Sequence, residues 1–163
     1  MSGKVKPIPD GYHTATPYLI VKGAAKAIDF YKKAFGATEI MRMGDDKIHH
    51  AEIKIGNSPI MLADEFPEMK ALSPETIGGS PITIMLYVED VDAVFNKAVA
   101  AGAKVDRPLA DQFYGDRTGA LTDPFGHKWY VATHIEDVSD EEIKKRSDAM
   151  QKEMKAKAGA GVK

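Results

Sequence analysis

The side chains best suited to chemistry lie on one predicted strand, residues 48–55. Its apolar residues alternate, with Ala51 and Ile53 on one side, so that His50 and Glu52 point together to the other side. An imidazole beside a carboxylate can titrate near neutral pH and transfer a proton, or the two can supply two ligands to a metal. The same pattern is typical of the polar face of a half-buried antiparallel sheet. The sequence therefore predicts an acid/base pair at His50 and Glu52, with a hydrogen-bonded polar face as the alternative.

A second group of reactive side chains precedes a later strand. Tyr114 offers a hydroxyl, and Arg117 offers a planar guanidinium that can hold a carboxylate or phosphate by two parallel bonds. A surface salt bridge from Arg117 to Asp116 or another neighbour is the competing interpretation. Nucleophilic chemistry has no support, because the chain has no Cys and no Gly-x-Ser-x-Gly motif.

The elements that must position these residues occur twice. Val21 precedes a helical pattern that stops at Gly36, 15 residues later, and Val88 precedes a second one that stops at Gly102, 14 residues later. Each copy reads strand, helix, strand, strand, strand, over residues 14–64 and 81–134. The pattern predicts an α+β protein built from two like βαβββ modules whose interface is a natural place for a ligand.

The rest of the chain frames these modules. Residues 1–12 are predicted to be a disordered or extended arm, and 64–81 to be a long irregular connection of the kind that is a linker, a lid or disordered. Ser139 and Glu142 form a capping-box pattern that opens a charged helix over 139–157, before a tail at 158–163. Residues 1–136 are thus predicted to form a single domain, followed by the helix and the tail.

Composition narrows the classes of function. The 163 residues carry a net charge of −2, which gives no basis for nucleic-acid binding. The absence of Cys excludes disulfides and thiolate metal sites. No window is apolar enough for a membrane span, and the first ten residues lack the core of a signal peptide. A cytoplasmic location without membrane or nucleic-acid partners is expected.

Several short motifs resemble the vicinal-oxygen-chelate superfamily, which includes glyoxalase I, extradiol dioxygenases and the bleomycin- and fosfomycin-resistance proteins. The first module carries Ala27-Ile28-Asp29-Phe30-Tyr31 and Phe35-Gly36-Ala37. The second carries Val88-Glu89-Asp90-Val91-Asp92, Ala101-Gly102-Ala103 and Asp123-Pro124-Phe125-Gly126-His127. Further motifs resemble the PhnB-like branch of that superfamily: Gln112-Phe113-Tyr114-Gly115-Asp116-Arg117, Ala132-Thr133-His134 and Glu136-Asp137-Val138-Ser139. The resemblance implies mixed, curved sheets that form a concave cleft.

In that superfamily the cleft of the members with known chemistry holds one divalent metal, bound by His, Gln or Glu from the first and fourth strands of each module. The matching positions here are Thr16, Met61, Thr83 and Tyr130. Hydroxyls are weak ligands and a thioether selects soft ions, so the usual metal site is missing. The expectation is a protein with neither this metal nor another cofactor.

Without a metal, the same face becomes an apolar cleft with hydroxyls, which suits a small organic or aromatic molecule. The predicted ligand-binding residues are Thr16, Tyr18, Met61, Thr83, Met85, Tyr114, Arg117 and Tyr130. His50 and Glu52 are expected to share one cavity with the hydroxyls of Thr16, Thr83 and Tyr130. Packing of this face against a second subunit or the C-terminal helix is the alternative, and a homodimer is expected.

Three functions remain open from the sequence. The first is binding of a small molecule without a metal. The second is a glyoxalase-like lyase or isomerase that uses His50 and Glu52 as acid and base. The third is an interaction module whose cleft is occluded.

Overall fold

The computed structural model describes residues 5–160 and consists of two four-stranded mixed sheets with four helices. In the first module the strands lie in the order β1-β4-β3-β2, with β1 parallel to β4 and the other pairs antiparallel. The elements of this module are β1 Tyr18–Val21, α1 Ala24–Phe35, β2 Thr38–Met43, β3 His50–Ile55 and β4 Ser58–Asp64.

The second module repeats this arrangement with the order β5-β8-β7-β6, and again only the first pair is parallel. Its elements are β5 Thr83–Tyr87, α3 Val91–Ala101, β6 Lys104–Asp111, β7 Asp116–Thr122 and β8 Lys128–His134. The two βαβββ modules and the α+β class predicted from the internal repeat are therefore confirmed.

At or near the end of the fourth strand of each module, one side chain accepts hydrogen bonds from the start of the helix of that module. Asp64 accepts hydrogen bonds of 2.8 and 2.9 Å from the backbone N–H groups of Gly23 and Ala24, at the start of α1. Thr133, near the end of β8, accepts one of 3.0 Å from the N–H of Val91, at the start of α3. These contacts satisfy helix N–H groups that have no intrahelical partner, and they fix each helix on one face of its sheet.

Both modules contribute to one core. The indole of Trp129 on β8 is fully buried and lies 5.4 Å from the ring of Tyr31 and 4.8 Å from that of Phe35, both on α1. Ala51 and Ile53 are also fully buried, as the strand alternation predicted. The opposite face of each sheet is left uncovered by the helices α1 and α3.

Two strand boundaries differ from the sequence prediction. The first strand begins at Tyr18 rather than residue 14, because Pro17 has no N–H to donate, although its carbonyl still accepts a bond of 2.9 Å from Met61. The alternation of Ile82, Ile84 and Leu86 in the sequence predicts all three on the buried face of the second sheet, but Ile82 is 69% exposed, since β5 starts only at Thr83.

The connection between the modules contains short ordered pieces rather than one irregular loop. A 3-10 turn spans Pro67–Met69 and the helix α2 spans Pro74–Ile77. Glu65 accepts bonds of 2.8 and 2.9 Å from the N–H and hydroxyl of Ser73, which is itself buried. The Ser73 N–H, followed by the hydroxyl of Thr76, lowers the pKa of Glu65 to about 2.

The C-terminal helix α4 spans Asp140–Ala160, three residues beyond the predicted end. Ser139 accepts a bond of 3.3 Å from the N–H of Glu142, as a cap should. The Glu142 carboxylate accepts from Arg146, whose guanidinium also binds Glu136. The first turns of α4 are thus tied to the second module. In the part of the chain that the structure describes, no helix is long and apolar enough to cross a membrane.

Candidate functional site

A chain of hydrogen bonds crosses the uncovered face of the first sheet. The Tyr18 hydroxyl lies 2.8 Å from Nδ1 of His50, and Nε2 of His50 lies 3.1 Å from the carboxylate of Glu52. The hydroxyl of Tyr12, in the segment before β1, donates to the other oxygen of Glu52. The side chains of His50 and Glu52 are 24% and 15% exposed, so this network is half-buried.

The hydrogen-bond partners fix the roles of the two titratable groups. A carboxylate only accepts, so Nε2 of His50 donates to Glu52, while Nδ1 faces the Tyr18 hydroxyl, which can donate or accept. The Tyr12 hydroxyl, and secondly His50, lower the pKa of Glu52 below its ordinary value. Glu52 is therefore a carboxylate at neutral pH, suited to accepting a proton rather than donating one.

A cavity of about 320 Å³ lies on the uncovered face of the second sheet. Met85, Tyr114 and Tyr130 line it, and the guanidinium of Arg107 lies 4.8 Å from the centre of the Tyr130 ring. Burial is the main cause of the raised pKa of the Tyr114 hydroxyl, which stays protonated. The cavity thus combines aromatic faces, a thioether and a cation.

A third group of predicted residues lies where the starts of β1 and β5 approach each other. Thr16, Tyr18 and Thr83 line a mostly apolar cavity of about 510 Å³ there. His127 also lines it, with its Nε2 3.0 Å from the carbonyl oxygen of Ile20. That bond ties the β7–β8 turn to β1, which is a structural role.

Met61 and Tyr130 occupy equivalent places in the two modules. Met61 pairs with Tyr18 across the first parallel ladder, as Tyr130 pairs with Met85 across the second. Each pair contains one Tyr and one Met on neighbouring strands. The equivalence supports the internal alignment from which these positions were predicted.

Arg117 lies on the helix side of the second sheet, in line with Gly119 and Leu121. Its Nε and Nη2 atoms each donate a bond of 2.8 Å to Asp92 on α3, and Nη1 donates one of 2.9 Å to Asp111. Asp92, and secondly Asp111, raise the pKa of the guanidinium. The N–H groups of the Arg117 guanidinium are therefore already bound to carboxylates of the chain itself.

The predicted site residues therefore lie in four places. His50 and Glu52 form the network with Tyr18, which also lines one cavity with Thr16 and Thr83. Met85, Tyr114 and Tyr130 line another cavity, and Arg117 lies on the helix side of the second sheet. One cavity containing both His50 and Tyr130 stays a prediction.

The four residues that were predicted at metal positions do not fit a divalent transition metal. Thr16, Thr83 and Tyr130 offer hydroxyls and Met61 a thioether, and the cation of Arg107 already lies over the Tyr130 ring. Among residues 5–160, no three His, Asp or Glu side chains converge as metal ligands would.

Sequence reasoning missed three participants. Tyr12 belongs to a segment that has no periodicity, and Arg107 lies in β6 between two register shifts that break the alternation. Asp116 is only 4% exposed and binds both Tyr87 and His134, although a charged residue after Gly115 reads as a turn. The contact between Asp116 and His134 could have been predicted only from their pairing, since the two residues lie directly opposite each other in the β7–β8 ladder.

The fold and its uncovered sheet faces define a class of protein. Residues 12–131 match the family model described as the glyoxalase, bleomycin resistance protein and dioxygenase superfamily. The chain belongs to this superfamily, as its motifs predicted.

Relatives and solved structures agree with this assignment. An uncharacterised protein of Mycobacterium tuberculosis is 46% identical over 133 residues, which cover 78% of each chain. The crystal structure of an Arabidopsis thaliana gene product matches with a TM-score of 0.62 at 30% identity, and the match covers 74% of this chain and 98% of that one. A PhnB protein from Bacillus cereus shares the fold, with a TM-score of 0.56 at 19% identity over 74% of this chain and 99% of that one.

Proposed function

We propose that this protein binds a small aromatic molecule, without a transition metal, in the cavity lined by Met85, Tyr114 and Tyr130. The observation that carries the proposal is the Arg107 guanidinium 4.8 Å from the centre of the Tyr130 ring. Arginine over an aromatic face prepares a flat, partly desolvated surface on which another planar group can stack.

The lining of the cavity supports a planar ligand of moderate polarity. Thioethers adapt to the edge of an aromatic ring, which suits Met85. The protonated hydroxyl of Tyr114 can donate a hydrogen bond to the ligand, and the Thr118 hydroxyl, which donates to the Val131 carbonyl at 3.0 Å, can accept one. A volume of about 320 Å³ has room for one or two fused rings.

The proposal is tested by equilibrium dialysis with 1-naphthol, a two-ring probe with one hydroxyl. Tyr130→Ala is expected to weaken binding about tenfold, the loss of one stacking contact, while Tyr130→Phe keeps the ring and most of the affinity. Met61→Ala, at the equivalent place in the other module, is the matched control. Equal losses for Met61→Ala and Tyr130→Ala would contradict binding in this cavity.

The proposal that no transition metal is bound is tested by a separate measurement. Elemental analysis of protein purified without added metal, combined with native mass spectrometry, is expected to give far less than one transition metal ion per chain. A stoichiometric zinc, nickel, manganese or iron that is lost in Thr83→Ala or Tyr130→Ala would overturn the proposal.

A second candidate function is acid/base catalysis at His50. The contact that favours it is the 3.1 Å separation between His50 Nε2 and Glu52, which orients the ring and leaves Nδ1 to exchange a proton with Tyr18 or with a ligand that replaces its hydroxyl. Glu52→Gln would keep the shape of the site but would no longer hold the His50 ring in its orientation. A substrate that turns over normally in both His50→Gln and Glu52→Gln would eliminate this function.

The proposal includes a homodimer. Large apolar side chains stand exposed on β2 and β5: Ile40, Met41 and Met43, and Met85 and Tyr87. Scattered apolar side chains are ordinary on a surface, but runs on a strand next to an uncovered sheet face favour a protein partner. A second copy supplies the same surface and would enclose the cavities.

A further inference from the structure

A second histidine lies between two carboxylates at the far end of the second sheet. Nδ1 of His134 is 2.8 Å from Asp116, and Nε2 is 3.0 Å from Asp137. Asp116 is 4% exposed, and its other oxygen accepts a bond of 2.7 Å from the Tyr87 hydroxyl. Asp137 is fully exposed on the segment that leads to α4.

This histidine opens onto a cavity of its own, of about 560 Å³. Tyr87 and Tyr114 line one part of it, and Val138, in the segment before α4, and Ile143, in the first turn of α4, line another. An apolar, partly aromatic wall thus stands next to a polar end formed by His134. None of the residues at that polar end belongs to the network of His50.

We infer that this cavity binds a small aromatic carboxylic acid as its anion, with the ligand carboxylate replacing Asp137 at Nε2 of His134. In this arrangement the ring donates one N–H to Asp116 and the other to the ligand. The aromatic body of the ligand packs against Tyr87, Tyr114 and Ile143.

The two carboxylates around the ring define its protonation state. Each can only accept, so both ring nitrogens carry hydrogen and His134 is an imidazolium. Asp116, and secondly Asp137, raise the pKa of His134. The titratable groups around the ring are Asp116 and Tyr87 on the sheet, Tyr114 before β7, and Asp137 after β8.

Exchange of Asp137 for a ligand is the step that the geometry favours. Asp116 is fixed because it is buried and also binds Tyr87, whereas the Asp137 side chain has no packing to lose. An exposed ion pair of this kind contributes little stability, because water screens it and two side chains must be ordered to form it. Asp137 therefore marks where a ligand carboxylate fits and competes with it only weakly.

The test is titration of the full chain with benzoate, followed by NMR of the His134 ring and by calorimetry. Saturable binding is expected, with a loss of about tenfold or more in His134→Gln because a charge-assisted hydrogen bond disappears. Benzamide, which has the same ring but no charge, is expected to bind much more weakly. Affinity for benzoate should fall as the pH rises through the pKa of His134, where the imidazolium is lost.

The variant Asp137→Asn tests whether benzoate replaces the Asp137 carboxylate at His134 or responds only to the overall negative charge nearby. It removes the competing carboxylate and is expected to tighten benzoate binding several-fold. Asp140→Asn removes the same charge in the first turn of α4 and is expected to change the affinity less. Equal gains in the two variants, equal binding of benzoate and benzamide, or unchanged binding in His134→Gln would each overturn the inference. Because Asp137 is exposed, the variant Asp137→Asn keeps the test valid even if His134→Gln fails to fold.

Failure here is distinguishable from failure of the proposed function. Binding of 1-naphthol depends on Tyr130 and Arg107, which do not line the cavity of His134. Tyr114 lines both cavities and is left unchanged in every variant.

Discussion

Tyr31 on α1 donates a hydrogen bond of 2.7 Å to Asp123, although 92 residues separate them in the sequence. Trp129 donates to the same oxygen at 2.9 Å, and the N–H groups of Phe125 and His127 donate to the other. A turn residue of the second module is therefore satisfied by the helix of the first. Burial and the Asp123 carboxylate raise the pKa of Tyr31, so its hydroxyl remains a donor.

Asp123→Ala is expected to lower the free energy of unfolding by about 3 kcal/mol or more, because it leaves buried Tyr and Trp donors without an acceptor. Tyr31→Phe removes a single bond and should cost about 1 kcal/mol. Urea denaturation measures both. Asp45→Ala, at an exposed position of the β2–β3 loop, is the control, and a cost equal to that of Asp123→Ala would contradict the role of this contact.

The shared core shows what the sequence could predict. The repeat fixed the order of strands and helices, because each module satisfies its own backbone bonds and its helical and strand periods are local. The Tyr31–Asp123 bond could not be predicted, since it depends on how α1 of the first module meets the β7–β8 turn of the second. The sequence marked Asp123 only as part of the motif Asp123-Pro124-Phe125-Gly126-His127.

The candidate site likewise contains residues that the sequence could predict and residues that it could not. Alternation along β3 placed His50 and Glu52 on one face, and the structure brings them together at 3.1 Å. Arg117 was predicted from its chemistry alone, and the parity of β7 directs it to Asp92 on the helix side. Tyr12 reaches Glu52 from a segment without any pattern, so only the folded chain reveals it.

The helix caps give a prediction that compares the two modules. Asp64 accepts from three backbone groups, since Ile48 also donates to it at 2.7 Å, whereas Thr133 makes two backbone bonds: it accepts from Val91 and donates to the Val88 carbonyl at 2.7 Å. Asp64→Ala should therefore destabilise the protein by about 2–3 kcal/mol, and Thr133→Val by about 1 kcal/mol. Thermal and urea unfolding measure the difference. A larger effect at Thr133 would show that the cap of α3 matters more than the bond count implies.

Glu39 gives a prediction about acid stability. Arg42, and secondly Lys32, lower its pKa to about 2 from an ordinary value of 4.5. Because the folded-state pKa is depressed, the stability from this group is fully present above pH 4.5 and is lost as the pH falls towards 2. Glu39→Gln should destabilise the protein at neutral pH and flatten the fall in stability across that window. Denaturant unfolding at several pH values tests this, with Glu68→Gln as an exposed control of equal charge.

The exposed strand β2 gives a prediction about assembly. Met41 and Met43 are 37% and 54% exposed beside an uncovered sheet face, where a second copy would bury them. Light scattering after size exclusion should give about twice the chain mass of 17.8 kDa. The double variant Met41→Glu and Met43→Glu should give the monomer mass, because burying two unpaired carboxylates costs more than a typical interface can offset. Met69→Glu introduces one such charge at a 75% exposed position on the 3-10 turn and should leave the mass unchanged. A wild-type monomer at micromolar concentration, or a dimer that survives the double substitution, would move the interface away from β2.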